Sequence, residues 1–134
     1  MPKYETAGAA GLDIRSNESL VLRPGETKLI KTGIFVAVPS GYELQVRPRS
    51  GLSLKSPFRV ANAPGTVDSD YRGEVCVIGQ NTSNSEDFHI GVGDRIAQLV
   101  LQQVPQLIWD RVDAKGELGF TQRGEGGFGS SGNQ

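Results

Sequence analysis

Residues 40–48 read SGYELQVRP, and their alternation decides the fold class. Tyr42, Leu44 and Val46 fall on one side, with Glu43, Gln45 and Arg47 on the other, the period-two signature of a half-buried strand. Outward from it lie similar short runs, SLVLRPGE, TKLIKTG, GIFVAVPSG, EVCVIGQN and RIAQLVLQQV, each bounded by Gly, Pro, Asn or Ser. The 18 glycines and 7 prolines that punctuate the runs argue against long helices, and an all-β sandwich or barrel of short strands is expected. RPRSGLSLKSP (residues 47–57) breaks the rhythm: Ser50 is expected to cap a short helical turn that runs to about Lys55, where Pro57 stops it.

The 134 residues amount to one ordinary domain, and 37% hydrophobic against 22% charged residues is a soluble, globular composition. Lys and Arg number 14 against 15 Asp and Glu, so there is no global positive field to hold a nucleic-acid backbone. A local arginine cluster could still bind a small anion. The lone Cys76 cannot form an intrachain disulfide, and the lone His89 cannot build a His-rich metal site. MPKYETAGAAGLDI at the start has no apolar run of the kind that forms a signal peptide or membrane span, so a cytoplasmic protein without a membrane partner is expected. From Arg123 onward, RGEGGFGSSGNQ has the composition of a flexible tail, although a solvated linker has no use for Phe128.

Residues 64–75, PGTVDSDYRGEV, read as strand, turn and strand. A hairpin turning near Asp70 and Tyr71 would set residue 67 across from 74 and residue 65 across from 76. Gly65 would then let a flat ligand approach the backbone, with Asp68 and Tyr71 at the mouth. Taken alone, an Asp here is an ordinary turn residue, and Asp70 is left as one.

Five segments read together change this picture. AGAAGLDI (7–14), RPRSGLS (47–53), APGTVDSDYRGE (63–74), GDRIAQLV (93–100) and RGEGGFGSSG (123–132) occur in this order and span nearly the whole chain. Together they resemble the five motifs of the trimeric deoxyuridine triphosphate nucleotidohydrolases, the dUTPases. The resemblance implies an all-β, jelly-roll-like distorted barrel of the β-clip type over residues 1–122. It further implies a homotrimer in which residues 123–134 form a swapped C-terminal arm that closes over the active site. The implied reaction is dUTP plus water giving dUMP and pyrophosphate, with Mg²⁺ held mainly by the substrate's phosphates. It limits uracil in DNA and supplies dUMP for dTMP synthesis.

Residue by residue, the resemblance makes Asp68 the catalytic carboxylate that orients and deprotonates a water for in-line attack on the α-phosphorus. Tyr71 packs under the deoxyribose and leaves no room for a 2′-hydroxyl. The backbone at Gly65, Thr66, Val67 and Cys76 reads the uracil edge, with the Asn62 amide adding to it. Arg49, Ser50, Gly51 and Gln98 serve the phosphates, and Asp13 reaches the metal through water. On the arm, Phe128 stacks on uracil, Arg123 pairs with the γ-phosphate, and Gly129, Ser130 and Ser131 wrap it. Arg95 is open between an ion pair and a ligand contact, and Trp109, within the unassigned residues 104–119, between core and trimer interface. Two rivals share the fold: dCTP deaminase, whose C-terminus lacks the RGEGGFGSSG arm, and a non-catalytic nucleotide-sensing or protein-binding trimer.

Overall fold

The computed structural model describes residues 1–127, so Phe128, Gly129, Ser130 and Ser131 lie outside the described residues. Its strands are β1 (Leu12–Arg15), β2 (Leu20–Leu22), β3 (Thr27–Phe35), β4 (Tyr42–Arg47), β5 (Phe58–Val60), β6 (Gly65–Val67), β7 (Glu74–Asn81), β8 (Phe88–Ile90) and β9 (Arg95–Gln103). They form three sheets, ordered β1-β9-β4-β6, β2-β8 and β3-β7-β5. Every pairing is antiparallel, as an all-β jelly-roll-like chain requires. Among the described residues no helix is long and apolar enough to cross a membrane.

The alternation in β4 does what its period demands. Leu44 and Val46 are buried, while Tyr42, at the strand's start, stays exposed. On the opposite face the Gln45 amide nitrogen donates to Glu43, and Arg47 donates to Gln45 Oε1 through Nε at 2.8 Å and Nη2 at 2.6 Å. One face is core and the other a polar ladder.

TKLIKTG and the first three residues of GIFVAVPSG share one strand, β3, which slips register against β7 between Ile30 and Ile34. Gly33 takes up the irregularity at φ +70°, a left-handed conformation that suits a residue without Cβ. The slip removes backbone donors from the ladder, and the Glu74 carboxylate replaces their partners. Its Oε1 accepts the N–H of Thr32 at 3.0 Å and of Gly33 at 2.7 Å.

Two local expectations need correction. The helix does run Ser50–Lys55, but its N-cap is Arg49, whose extended backbone (φ −90°, ψ 128°) precedes it without a side-chain cap; Ser50 is already helical. The hairpin at residues 64–75 does not close either. β6 pairs with β4, Leu44 opposite Val67 and Val46 opposite Gly65, while β7 pairs with β3 and β5. The two strands leave the turn into different sheets, so residue 67 does not pair with 74, nor 65 with 76.

The core joins all three sheets through Ile14, Leu22, Ile30, Val46, Phe58, Val77 and Ile96. Phe58 is 2% exposed and stacks on Phe88 with ring centroids 5.5 Å apart. Asn81, fully buried, donates to the carbonyls of Leu22 at 2.9 Å and Glu86 at 2.7 Å, and its Oδ1 accepts the Ser83 N–H at 3.0 Å. A buried amide with all these partners stitches β2, β7 and the following loop together. Phe58→Ala is expected to cost about 3–5 kcal/mol, because the cavity left behind cannot fully collapse; the shift of the urea midpoint at fixed protein concentration measures it.

Beyond β9 the chain carries apolar residues that the other described residues leave exposed. Leu107, Ile108, Trp109 and Phe120 are 80%, 96%, 88% and 96% exposed. Trp109 is therefore not part of this chain's core.

Candidate active site

The open hairpin creates the site. β6 is the last strand of its sheet, so its backbone edge away from β4 has no strand partner among the described residues. On β7, β5 covers only Gly79–Asn81 on one edge, which leaves the Glu74–Cys76 stretch of that edge without a neighbouring strand among the described residues. Both edges line a cavity of about 290 Å³, together with Leu29, Val46, Asn62, Asp68, Tyr71 and Ile78. Asn62, Gly65, Thr66, Val67, Asp68, Tyr71 and Cys76, the residues expected to serve the base, the sugar and the attacking water, all line this one cavity.

Its wall is apolar and its rim polar. Leu29 and Ile78 are cross-strand partners and form part of the wall. Neither was expected, since the strand pattern of TKLIKTG marks Leu29 only as the residue facing away from Ile30. Asp68 stands exposed on the rim, and its carbonyl accepts the Tyr71 N–H at 3.2 Å to close the turn. The Tyr71 hydroxyl donates to the Glu74 carbonyl at 2.9 Å. A Cβ on Gly65 would lie 3.0 Å from the Asn62 amide nitrogen and 3.3 Å from Val46 Cβ. A side chain there would be tight against these neighbours as well as in the way of any flat ligand. Burial pushes the Cys76 thiol up, with the nearby Glu74 charge adding to the effect. Cys76 therefore faces the cavity as a neutral thiol at neutral pH.

A second group sits across β1, β9 and β4, where the register aligns Asp13, Gln98 and Arg47 in one row. The Asp13 carboxylate is held between two guanidinium groups, Arg49 Nε at 2.8 Å and Arg95 Nη1 at 3.1 Å. Arg95 thus makes an ion pair with an acid, one of the two roles open to it. Each arginine keeps further N–H donors beyond those Asp13 takes. Gln98 Nε2 donates to the Pro48 carbonyl at 2.9 Å, and a Cβ on Gly11 would collide with the same amide, so Gly11 keeps the space in which Gln98 lies. Arg49, Ser50 and Gly51 are consecutive at the start of the helix.

None of Asp13, Arg49, Ser50, Gly51 or Gln98 lines the 290 Å³ cavity. One chain thus gathers the expected residues into two separate groups, a cavity and an arginine-rich row. Arg123 belongs to neither: its Nε donates to the Gly126 carbonyl at 2.7 Å within a local turn.

The dUTPase sequence profile matches residues 1–132, the two groups and the segment beyond them included. The chain belongs to the dUTPase family. Among its relatives, the deoxyuridine 5′-triphosphate nucleotidohydrolase of Caulobacter vibrioides is 54% identical, over 98% of this chain and 85% of that protein. The protein of the same name from Fusobacterium nucleatum is 52% identical, over 98% of this chain and 89% of the other. Among solved structures, a mutant Staphylococcus bacteriophage 80alpha dUTPase with dUpNHpp superposes with a TM-score of 0.89 at 30% identity, covering 99% of this chain and 92% of that one. A mutant dUTPase from phage phi11 of S. aureus, described with a structural Mg(II) ion, gives 0.80 at 27% identity, over 85% and 90% of the two chains. The dUTPase resemblance in the motifs and the all-β dUTPase fold therefore hold over nearly the whole length.

Proposed function

We propose that this dUTPase family member hydrolyses dUTP to dUMP and pyrophosphate, with uracil inserted between the open edges of β6 and β7. The observation that carries the reading is the cavity in which those two unpaired backbone edges meet Asp68 and Tyr71. Fixed N–H and C=O groups along Gly65, Thr66, Val67 and Cys76 can pair with the edge of uracil. Cytosine presents a donor where uracil presents an acceptor, and so leaves buried groups unpaired. The 54% and 52% identical relatives carry the name of the same activity, which speaks against dCTP deamination and against a sensor without catalysis.

In this reading Asp68 accepts a proton from the attacking water as the water oxygen bonds to the α-phosphorus. The bond from that phosphorus to the α,β-bridging oxygen breaks, and pyrophosphate leaves in line. Tyr71 lies under the deoxyribose and occupies the space of a 2′-hydroxyl. Arg49, Gln98 and the backbone N–H groups at Ser50 and Gly51 hold the phosphates, and Asp13 keeps the Arg49 guanidinium in place. Asp13 is the one carboxylate in that row, and among the described residues no three His, Cys, Asp or Glu side chains gather. Such a donor set fits a Mg²⁺ that is bound mainly by the substrate's phosphates and meets Asp13 through water. When bound, the ion offsets the charge that builds on the leaving pyrophosphate.

The separation of cavity and arginine row within one chain supports assembly as a homotrimer, in which the row of one copy faces the cavity of another. The uncovered Leu107, Ile108 and Trp109 support it as well, since a second copy can remove that apolar surface from water. Residues 1–122 are then the barrel, and residues 123–134 the arm that completes a neighbour's site. Incubation with dUTP, dCTP or UTP in the presence of Mg²⁺, followed by product identification, tests the reading. The expected result is dUMP and pyrophosphate from dUTP alone. Deamination of dCTP, or no reaction with any of the three, overturns it.

A further inference from the structure

We infer that Gly73 is a positioning residue for the Tyr71 ring and thereby a determinant of sugar specificity, an inference that rests on Tyr71 being the sugar gate proposed above. The Tyr71 hydroxyl reaches three residues along the chain to the Glu74 carbonyl at 2.9 Å, so the ring folds back across the glycine between them. A Cβ built on Gly73 would fall on the Tyr71 hydroxyl, 2.5 Å from ring Cζ and 2.9 Å from Cε2. Backbone conformation does not demand this glycine, because Gly73 is not among the residues with positive φ. The atoms nearest to its empty side all belong to the Tyr71 ring and hydroxyl.

The anchor that receives the hydroxyl is itself fixed. The Glu74 carboxylate takes the N–H groups of Thr32 and Gly33, and Glu74 pairs with Phe35 in the β3–β7 register. Arg72 Nη1 donates to the carbonyls of Ser69 at 2.8 Å and Tyr71 at 2.7 Å, which closes the turn on itself. With the strand held on this side, the ring is the part free to move. A methyl group at position 73 therefore displaces the ring by rotation of the Tyr71 side chain, while an alanine's own backbone is unstrained there. The displaced ring no longer fills the 2′ position of the sugar, although residue 73 need not touch substrate.

The test compares kcat/KM for dUTP and UTP in the full chain and in Gly73→Ala, Tyr71→Ala and Tyr71→Phe, with thermal unfolding of each. Gly73→Ala is expected to unfold near the wild-type temperature and to lower the dUTP-to-UTP preference by about tenfold or more, as Tyr71→Ala does. Tyr71→Phe keeps the ring but loses its tie to Glu74, and should lower the preference by less. If Tyr71→Ala lowers the preference and Gly73→Ala leaves it unchanged, the positioning role of Gly73 is refuted while the gate stands. If Tyr71→Ala itself leaves the preference unchanged, the gate reading fails and this inference with it. Should Gly73→Ala not fold, Gly73→Ala in the Tyr71→Ala background decides: a folded double variant supports the ring as the group that needs the empty side, and an unfolded one overturns it.

Discussion

Asp68→Asn is expected to bind a non-hydrolysable dUTP analogue nearly as well as the wild type while dUTP turnover falls by about 10²–10⁴-fold, the range that a positioned general base contributes. The substitution preserves the shape of the side chain and its ability to accept a hydrogen bond, so the water can still be held. It removes the group that takes the proton. Asp68 is exposed on the rim of the cavity and away from the buried core, so the variant should retain the wild-type fold. Calorimetric titration with the analogue and single-turnover release of pyrophosphate from dUTP separate the two effects. Wild-type turnover in this variant would remove Asp68 from the role of base, and a matching collapse of binding would make it a substrate ligand instead.

Deletion of residues 123–134 is expected to leave a folded trimer and to reduce kcat/KM for dUTP by roughly 10²-fold or more. In the proposed reading the arm brings Arg123 to the γ-phosphate and Phe128 to the base. The loss of one preorganised donor to developing charge alone costs about 10²–10³-fold. The described part of the arm supports a segment that is not built into its own barrel. Among the described residues Arg123 is bonded within a local turn, to Gly126, and residues 123–125 are exposed, with Glu125 paired to Lys115 outside the strands. Sedimentation velocity reports the assembly and steady-state kinetics the turnover. Undiminished turnover in the deletion would reduce the segment to a linker. Loss of the trimer would instead make it an assembly element.

Much of the molecule is legible in residue order. The alternation of Leu44 and Val46 with Glu43, Gln45 and Arg47 appears in the folded chain as core on one face and a polar ladder on the other. The helix ends at Lys55, with Ser56 already extended before Pro57, because a proline biases the residue before it away from helical dihedrals. The motif residues around the cavity were legible by resemblance, and the fold collects those from Asn62 to Cys76 into one space. Less legible were the residues that serve these indirectly. Glu74 reads as one more strand residue until its carboxylate is seen to satisfy the N–H groups of Thr32 and Gly33 across the sheet. Gly73 reads as turn punctuation until the Tyr71 ring is found lying over it. Leu29 became a cavity residue only through its pairing with Ile78.

The sequence by itself determined that the chain is a β protein, where its longer strands and the Ser50–Lys55 helix lie, and to which family its five ordered segments belong. These follow from local periodicity, turn chemistry and motif order, all of which are written along the chain. Only the tertiary structure decided that β6 joins β4 while β7 joins β3, so that PGTVDSDYRGEV parts into two sheets and does not close as a hairpin. A period of two specifies which side chains share a face and is silent about which strand lies alongside. That choice belongs to contacts between residues far apart in sequence, such as Val46 with Gly65 and Phe35 with Glu74. The cavity exists because those distant pairings win over the local one.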